Sequence, residues 1–340
     1  MSDHAGAEPF PIVCSVPSAV GLQYRLLPAY DLGGVLDCTL LQHNLNDTYL
    51  VRTVDASYAL RVSQFRGRQA DDVAYEVELL THLDRNGIAV ARPVARRDGR
   101  FVTMIDMPEG PRAAVLFTFA PGEPLHAPDH DDVSSRRYGR AAALLHAASD
   151  DFTHAGARFR LAATALIDAP LVTTLPLLSH RPDDRDELAQ LAERLKRRLA
   201  DVPTGALAVG ACHGDLTGSN ASVDADGTVT FYDFEYCGVG WRAYDLASFR
   251  WSMALGRSRL GLDDEALWTA FLAGYREGRA VNDVDLAIVP VFVAIRHLWY
   301  LGLQTANWDY WGRHEVDDAF FDRELTFLRE WVVAHVDGDG

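Results

Sequence analysis

Residues 212–220 read CHGDLTGSN and residues 229–236 read VTFYDFEY, with the turn sequence DADG at 224–227 between them. Asp-Gly flanked by β-prone runs is a hairpin signal, so the chain is expected to fold back here and bring the two fragments together. The result would be one site: His213, Asp215 and Asn220 around a small flexible turn, and Asp233 at a strand end.

Those residue types suit phosphoryl transfer, which needs a positioned hydroxyl, a metal-neutralised phosphate chain and an acceptor for the hydroxyl proton. Asp215 is placed to accept or orient that proton. Asn220 offers a neutral oxygen, and Asp233 a carboxylate, to Mg²⁺, a hard cation that prefers oxygen ligands. His213 and Gly214 shape the turn rather than react, and Cys212 reads as core.

Outward from this island the chain divides in character. Upstream, DCTLLQHNLNDTYLVRT gives two β-prone runs broken at Asn44–Asp47, SYALRVS a third, and FVTMIDM and AAVLFTFA two more, an antiparallel meander. Within it DDVAYEVELLTHLDRNG reads as one helix, with Asp71 and Asp72 at its start and Gly87 as its stop. PGEPL at 121–125 marks a lobe boundary. Beyond it DDVSSRRYGRAAALLHAAS and DDRDELAQLAERLKRRLADV read as helices with acidic first turns, and the stretch after Asp233 is a further run of helices. A small β-rich lobe joined to a larger helical one leaves a cleft where small ligands bind.

Composition limits the chemistry further. The chain has 340 residues, more than one core usually organises, and its 48% hydrophobic and 24% charged content is that of an ordinary globular protein. A formal charge of −16 excludes a basic nucleic-acid footprint. The four cysteines form no CxxC or Cys/His ligand spacing, so no zinc site or disulfide framework is indicated. The amino end lacks a charged start and an apolar run, and no stretch approaches about 18 uninterrupted apolar residues, so a cytoplasmic protein without a membrane span is expected. Lys196, inside a charged helical run, is the only lysine; a Walker-type phosphate loop is absent and a Schiff-base lysine is not indicated.

H-G-D-x-x-x-x-N followed by an apolar residue and D-F-E resembles the aminoglycoside phosphotransferase and choline kinase superfamily. Its loop parallels the protein-kinase H-R-D-x-x-x-x-N and D-F-G. YDLASF at 244–249, with Asp245 at a helix start, matches the family pattern, and the resemblance runs from about Leu36 to near the chain end. It is nearest in character to bacterial type II homoserine kinases in the YDLA region and at Arg61. The resemblance implies an α+β, two-lobed, protein-kinase-like fold: an N-terminal extension over 1–19, a nucleotide-binding N-lobe over 20–120, and a helical C-lobe over 121–340 carrying the catalytic and metal-binding loops. It implies ATP and Mg²⁺ as cofactors. It puts Arg61 of YALRV on the nucleotide phosphates, where the family more often has lysine and where a guanidinium fork suits phosphate oxygens. Glu76, or alternatively Glu78, would be its helix partner. The turn NLNDTY would lie over the phosphates, with contacts from Asn46 or Thr48, and backbone near Thr118 and Ala120 would hold adenine. Asp245 would brace the catalytic loop.

FVAIRHLWYLGLQTANWDYWG, residues 292–312, places Arg296, Trp299, Tyr300 and Trp308 on an apolar helix and its exit. Two readings stand. One is a substrate wall, in which aromatics hold an ammonium group and Arg296 clamps a carboxylate; the other is a core helix whose Arg pairs with an Asp elsewhere. The function expected is O-phosphorylation of a small, amine-bearing hydroxyl compound, a homoserine-like amino acid, amino alcohol or aminoglycoside, by a monomer or homodimer. The rivals are a Ser/Thr protein kinase of the same superfamily and a nucleotide-binding pseudokinase.

Overall fold

The computed structural model describes residues 10–64, 70–126, 130–156, 160–203, 205–260, 263–311 and 316–337. The first nine residues, which carry most of the reading of the amino end, lie outside them. The chain divides into two compact units, Met1–Val73 with Pro93–Phe119, and Ala74–Arg92 with Ala120–Gly340. The expected continuous lobe over 20–120 is therefore interrupted, because residues 74–92 group with the second unit.

The first unit is built on a five-stranded antiparallel sheet. Its strands are β1 (Val35–His43), β2 (Asn46–Thr53), β3 (Ser57–Ser63), β4 (Val102–Met107) and β5 (Gly110–Thr118), in the order β1-β2-β3-β5-β4. The break between β1 and β2 is shorter than the sequence suggested, and Asn46 and Asp47 belong to β2. One face of the sheet buries Tyr49, Val51, Leu60, Val62 and Leu116 against Leu22, Leu26 and Leu27. Leu22 lies on α1 (Ala19–Arg25), a short helix capped by the Ser18 hydroxyl and absent from the sequence reading. Residues just ahead of it are tied down rather than extended away: Tyr49 donates to the Pro17 carbonyl, and Ser15 donates its N–H and hydroxyl to Glu109.

Most of α2 (Ala70–Arg85) belongs to the second unit, and its contacts there explain the division. Tyr75 meets the rings of Phe152 and His154 edge-on at 5.4 and 5.2 Å, and His82 Nε2 lies 2.8 Å from the Ala148 carbonyl. The chain after α2 exchanges backbone hydrogen bonds with Phe231 through Ala89 and Ala91. The unit then comprises β6 (Glu123–Pro124), α3 (Asp132–Ala148), β7 (Arg160–Leu161), α4 (Ala169–Leu177), α5 (Pro182–Ala200), β8 (Val209–Cys212), β9 (Ala221–Val223), β10 (Val229–Phe231), β11 (Gly238–Trp241), α6 (Arg242–Ser258), α7 (Glu265–Gly278), α8 (Asp283–Ala306), α9 (Trp308–Trp311) and α10 (Asp318–His335). Helix α3 starts on a capping box made by Asp131 and Ser134.

Helix α8 is the spine of this unit and packs on α4, α5, α6 and α10. It is long and apolar enough to cross a bilayer, with a mean hydropathy of 1.7 over 18 residues, and 67% of that window is buried inside the folded chain. Its apolar sequence is interrupted by Arg296 and His297, and both are buried. Lys196 pairs on the surface with Asp168 and Glu193 at 2.5 and 2.7 Å, away from any catalytic task.

Candidate active site

Two short ladders make one site from the two opening fragments. β9 pairs antiparallel with β10, Ala221 opposite Phe231, and the Tyr232 N–H continues the ladder to the Asn220 carbonyl at 3.0 Å. β8 pairs antiparallel with β11, Cys212 opposite Gly238. Both ends of the loop 213–220 are thus fastened to both ends of the loop 232–237, as the hairpin signal required. The DADG turn closes with Gly227 at φ 82° and with Asp224 Oδ1 accepting from the N–H groups of Asp226 and Thr228.

Asp215 lies on the first loop with its side chain 19% exposed. One carboxylate oxygen takes a hydrogen bond from Arg296 Nη2, and the other takes one from Asn220 Nδ2 at 3.0 Å. Asn220 Nδ2 also reaches the Asp215 carbonyl at 2.9 Å. With the amide nitrogen directed at Asp215, the amide oxygen is the atom Asn220 can offer a cation. Asp233 is exposed and lies two residues beyond the end of β10, at the same end of the hairpin as Asn220. Its backbone is left-handed (φ 61°, ψ 57°), the only non-glycine among the described residues with positive φ. A side chain held in that region marks a position that the surrounding structure over-determines, a frequent property of functional sites. Among the described residues no group of three or more His, Cys, Asp or Glu could cage a metal. A neutral amide oxygen and one carboxylate fit Mg²⁺, which keeps waters and substrate phosphates as its other ligands.

A buried carboxylate shapes the loop. Asp245, at the start of α6, accepts the N–H groups of His213 and Gly214 at 2.7 and 2.8 Å and His146 Nε2 at 3.0 Å. Burial opposes its ionisation, but the hydrogen bond and charge of His146 and the loop amides outweigh burial and hold the carboxyl below its usual range. His146 is pushed down to about 4, mainly by burial, and its Nδ1 lies 2.7 Å from the Tyr275 hydroxyl. In the consistent tautomer Tyr275 donates to Nδ1 and Nε2–H donates to Asp245. The brace expected of Asp245 is thereby given its geometry. Gly214 sits at φ 80°, where a Cβ would run into the Tyr236 carbonyl, so glycine is required. His213 is fully buried, faces Phe234 at 4.1 Å, and is lowered in pKa chiefly by burial. Its Nε2 lies 3.1 Å from the Tyr232 carbonyl and its Nδ1 accepts the Asp215 N–H at 3.3 Å, so it shapes the turn.

Arg296 follows the core reading of its helix rather than the expected clamp on a substrate carboxylate: it is buried and paired with an aspartate, and the aspartate is Asp215. Its guanidinium carbon lies 4.3 Å from the Trp299 ring centroid and 4.8 Å from that of Trp251. Trp251, on α6, is a site residue that sequence reasoning missed. Helical spacing links Arg296 to Trp299, three residues on, but no local signal ties Trp251 to a helix some 40 residues later. Trp299 also meets Tyr236 edge-on at 4.7 Å. Tyr300 packs instead on Trp251 and His297, 5.4 and 5.8 Å between centroids, where Glu324 is among the groups that influence its hydroxyl. Trp308 opens the separate short helix α9.

The residues that the family resemblance put on the nucleotide divide between the units. In the first, Arg61 and Thr48 are cross-strand partners in the β2–β3 ladder, with the Arg61 guanidinium carbon 5.0 Å from the Phe117 ring. Asn46 pairs with Ser63 two positions along, and Thr118 ends β5 opposite Tyr58. In the second, Glu76 is buried on α2 and Ala120 follows the division; Glu78 accepts from His154 at 2.7 Å.

Comparison with known proteins gives this geometry a context. Over 329 residues the chain is 37% identical to an uncharacterized protein of Deinococcus radiodurans, covering 97% of this chain and 94% of that one. It is 30% identical to a homoserine kinase of Neisseria meningitidis over 78% of this chain and 81% of the other. The solved structure of the microcompartment-associated aminopropanol kinase superposes with a TM-score of 0.73 at 26% identity, covering 92% of this chain and 95% of that one. The kinase-like α+β fold expected from the motifs is the fold observed. Residues 37–281 match the model of the phosphotransferase enzyme family, and the chain belongs to that family.

Proposed function

We propose that the chain is an ATP- and Mg²⁺-dependent O-phosphotransferase acting on a small, amine-bearing hydroxyl compound. The observation that carries this reading is the Asp215 carboxylate, held at both oxygens in a loop fastened beside Asp233. Asp215 accepts the proton of the attacking hydroxyl, a role that requires the hydroxyl to come within hydrogen-bond reach of its partly exposed carboxylate. Asn220 and Asp233 hold the cation, which when bound neutralises the phosphate chain and orients it. Asp245 keeps the loop amides, and through them Asp215, in place. Arg61, with Thr48 beside it, is assigned to the nucleotide phosphates, with Asn46, Thr118 and Ala120 as further nucleotide contacts. Trp299, 8% exposed and stacked under the Arg296 guanidinium, is occupied by that contact and is not assigned to the acceptor's amine.

The amine-bearing acceptor class is supported by the names of two relatives, a homoserine kinase and an aminopropanol kinase, both of which point to amino-hydroxyl compounds. The test is transfer of labelled γ-phosphate from ATP to L-homoserine, 3-aminopropan-1-ol, kanamycin and casein, with and without Mg²⁺. Mg²⁺-dependent labelling of one of the three small molecules is expected. Labelling of casein alone would replace the acceptor class, and nucleotide binding without transfer to any acceptor would contradict the reading.

A further inference from the structure

We propose that Arg296, packed against the indoles of Trp251 and Trp299, is a positioning residue that fixes the Asp215 carboxylate in its working orientation. The inference rests on Asp215 being the proton acceptor. Three observations point to it. Arg296 is 3% exposed yet reaches a carboxylate at the edge of solvent, and it takes the oxygen that Asn220 leaves. Two indoles pack against its guanidinium, that of Trp299 three residues along its own helix and that of Trp251 on α6, which restricts where the guanidinium can move. Its Nε and Nη1 make no well-formed hydrogen bond among the described residues, and the Tyr244 hydroxyl is a further polar group that interacts closely with the guanidinium.

A cation buried on those terms is a poor stabiliser. Desolvation of an ion pair often cancels its attraction, and an apolar side chain of similar volume would pack against the indoles as well. What an apolar side chain cannot do is hold Asp215. With one oxygen on Asn220 and the other on Arg296, rotation about the carboxylate bond is blocked, and the lone pairs left over point in a fixed direction. Proton transfer rewards such fixity, since a misplacement of about 1 Å costs about a hundredfold in rate.

The test uses the full chain with ATP, Mg²⁺ and whichever of L-homoserine, 3-aminopropan-1-ol or kanamycin is phosphorylated. R296A is expected to lower kcat about tenfold to a hundredfold, with the KM values for ATP and acceptor within about twofold of wild type. R296K should recover part of the loss, and free guanidinium at millimolar concentration should restore part of the R296A rate by occupying the gap beside the indoles. Because Arg296 acts through Asp215, adding R296A to D215A should cost nothing more. A loss confined to the acceptor KM, or single effects that multiply in the double variant, would overturn the proposal. Should R296A fail to fold, R296K carries the test: reduced kcat at constant KM supports the proposal and unchanged kcat overturns it. A wild-type chain that phosphorylates no acceptor sinks the functional reading and this inference with it. An active wild type with additive variants sinks the inference alone.

Discussion

Both units of the chain bury an arginine against an aspartate, and the two pairs are built differently. In the first unit Arg112 and Asp47 are 0% and 1% exposed. The guanidinium donates to the carbonyls of Ser63, Ser15 and Val62 at 2.6, 2.7 and 3.2 Å and to Asp47 at 2.7 Å, with Glu109 at 3.5 Å. Asp47 also meets His43 at 2.5 Å. Every nitrogen of Arg112 has a partner, and together they tie the segment around Ser15 to three strands. Arg296 has one hydrogen-bonded acceptor, two aromatic faces and an aspartate that remains partly open to solvent. A fully satisfied buried pair fastens a fold. A pair that leaves nitrogens unsatisfied and ends on an accessible carboxylate is better explained by what it presents.

That contrast is sharpened most by removing the charge proposed to hold the cation. Asp233→Ala should abolish the Mg²⁺-dependent part of nucleotide binding, so that calorimetric titrations with and without Mg²⁺ coincide; a persisting difference would strip Asp233 of its metal role. The next effect should fall on stability instead of chemistry. Arg112→Met leaves Asp47 buried without its guanidinium, and urea unfolding should show a loss of about 3 to 5 kcal/mol, while kcat per folded molecule stays near wild type. An Arg112 variant that unfolds like wild type would erase the distinction between the pairs.

Acid should weaken the second unit by a separate route. His146 is held neutral, with a pKa of about 4, whereas an unfolded histidine titrates near 6.5. The unfolded chain therefore binds a proton that the folded one refuses. Stability is full above about pH 6.5 and falls as pH drops toward 4, by about 3 kcal/mol for this group. His297, pushed down to about 3 by burial, acts in the same direction. Melting temperatures between pH 7 and 4 should flatten in His146→Asn, and an unchanged slope would contradict the assignment. The smallest effect is expected for Tyr275→Phe, which removes the donor to His146 Nδ1 and should cost about 1 to 2 kcal/mol in the same unfolding assay.

Much of this was legible in the sequence where the signal is local. The five strands of the first unit, the helices at 131–149 and 183–202, and the DADG hairpin follow from alternation, caps and turn residues, and the hairpin alone brings Asn220 and Asp233 to one place. Long-range partnership was not legible. Helix α2 looks like part of the first lobe because it lies between strands in sequence, and only its contacts with Phe152, His154 and Ala148 assign it otherwise. Arg296 could be seen to need an aspartate, but nothing in its helix says that the partner lies 81 residues upstream. Trp251 was invisible for the same reason. Left-handed backbone at Asp233 has no specific sequence signal, since aspartate, though enriched in that region over most residues, adopts it only in a small minority of cases.

The measurement that bears most directly on the central claim is turnover of Asp215→Ala alongside its affinity for Mg²⁺-ATP. Loss of the proton acceptor should lower kcat by at least about a hundredfold, while calorimetry gives a nucleotide affinity close to wild type. Turnover near the wild-type rate in that variant would show that Asp215 is not the group on which the reaction depends.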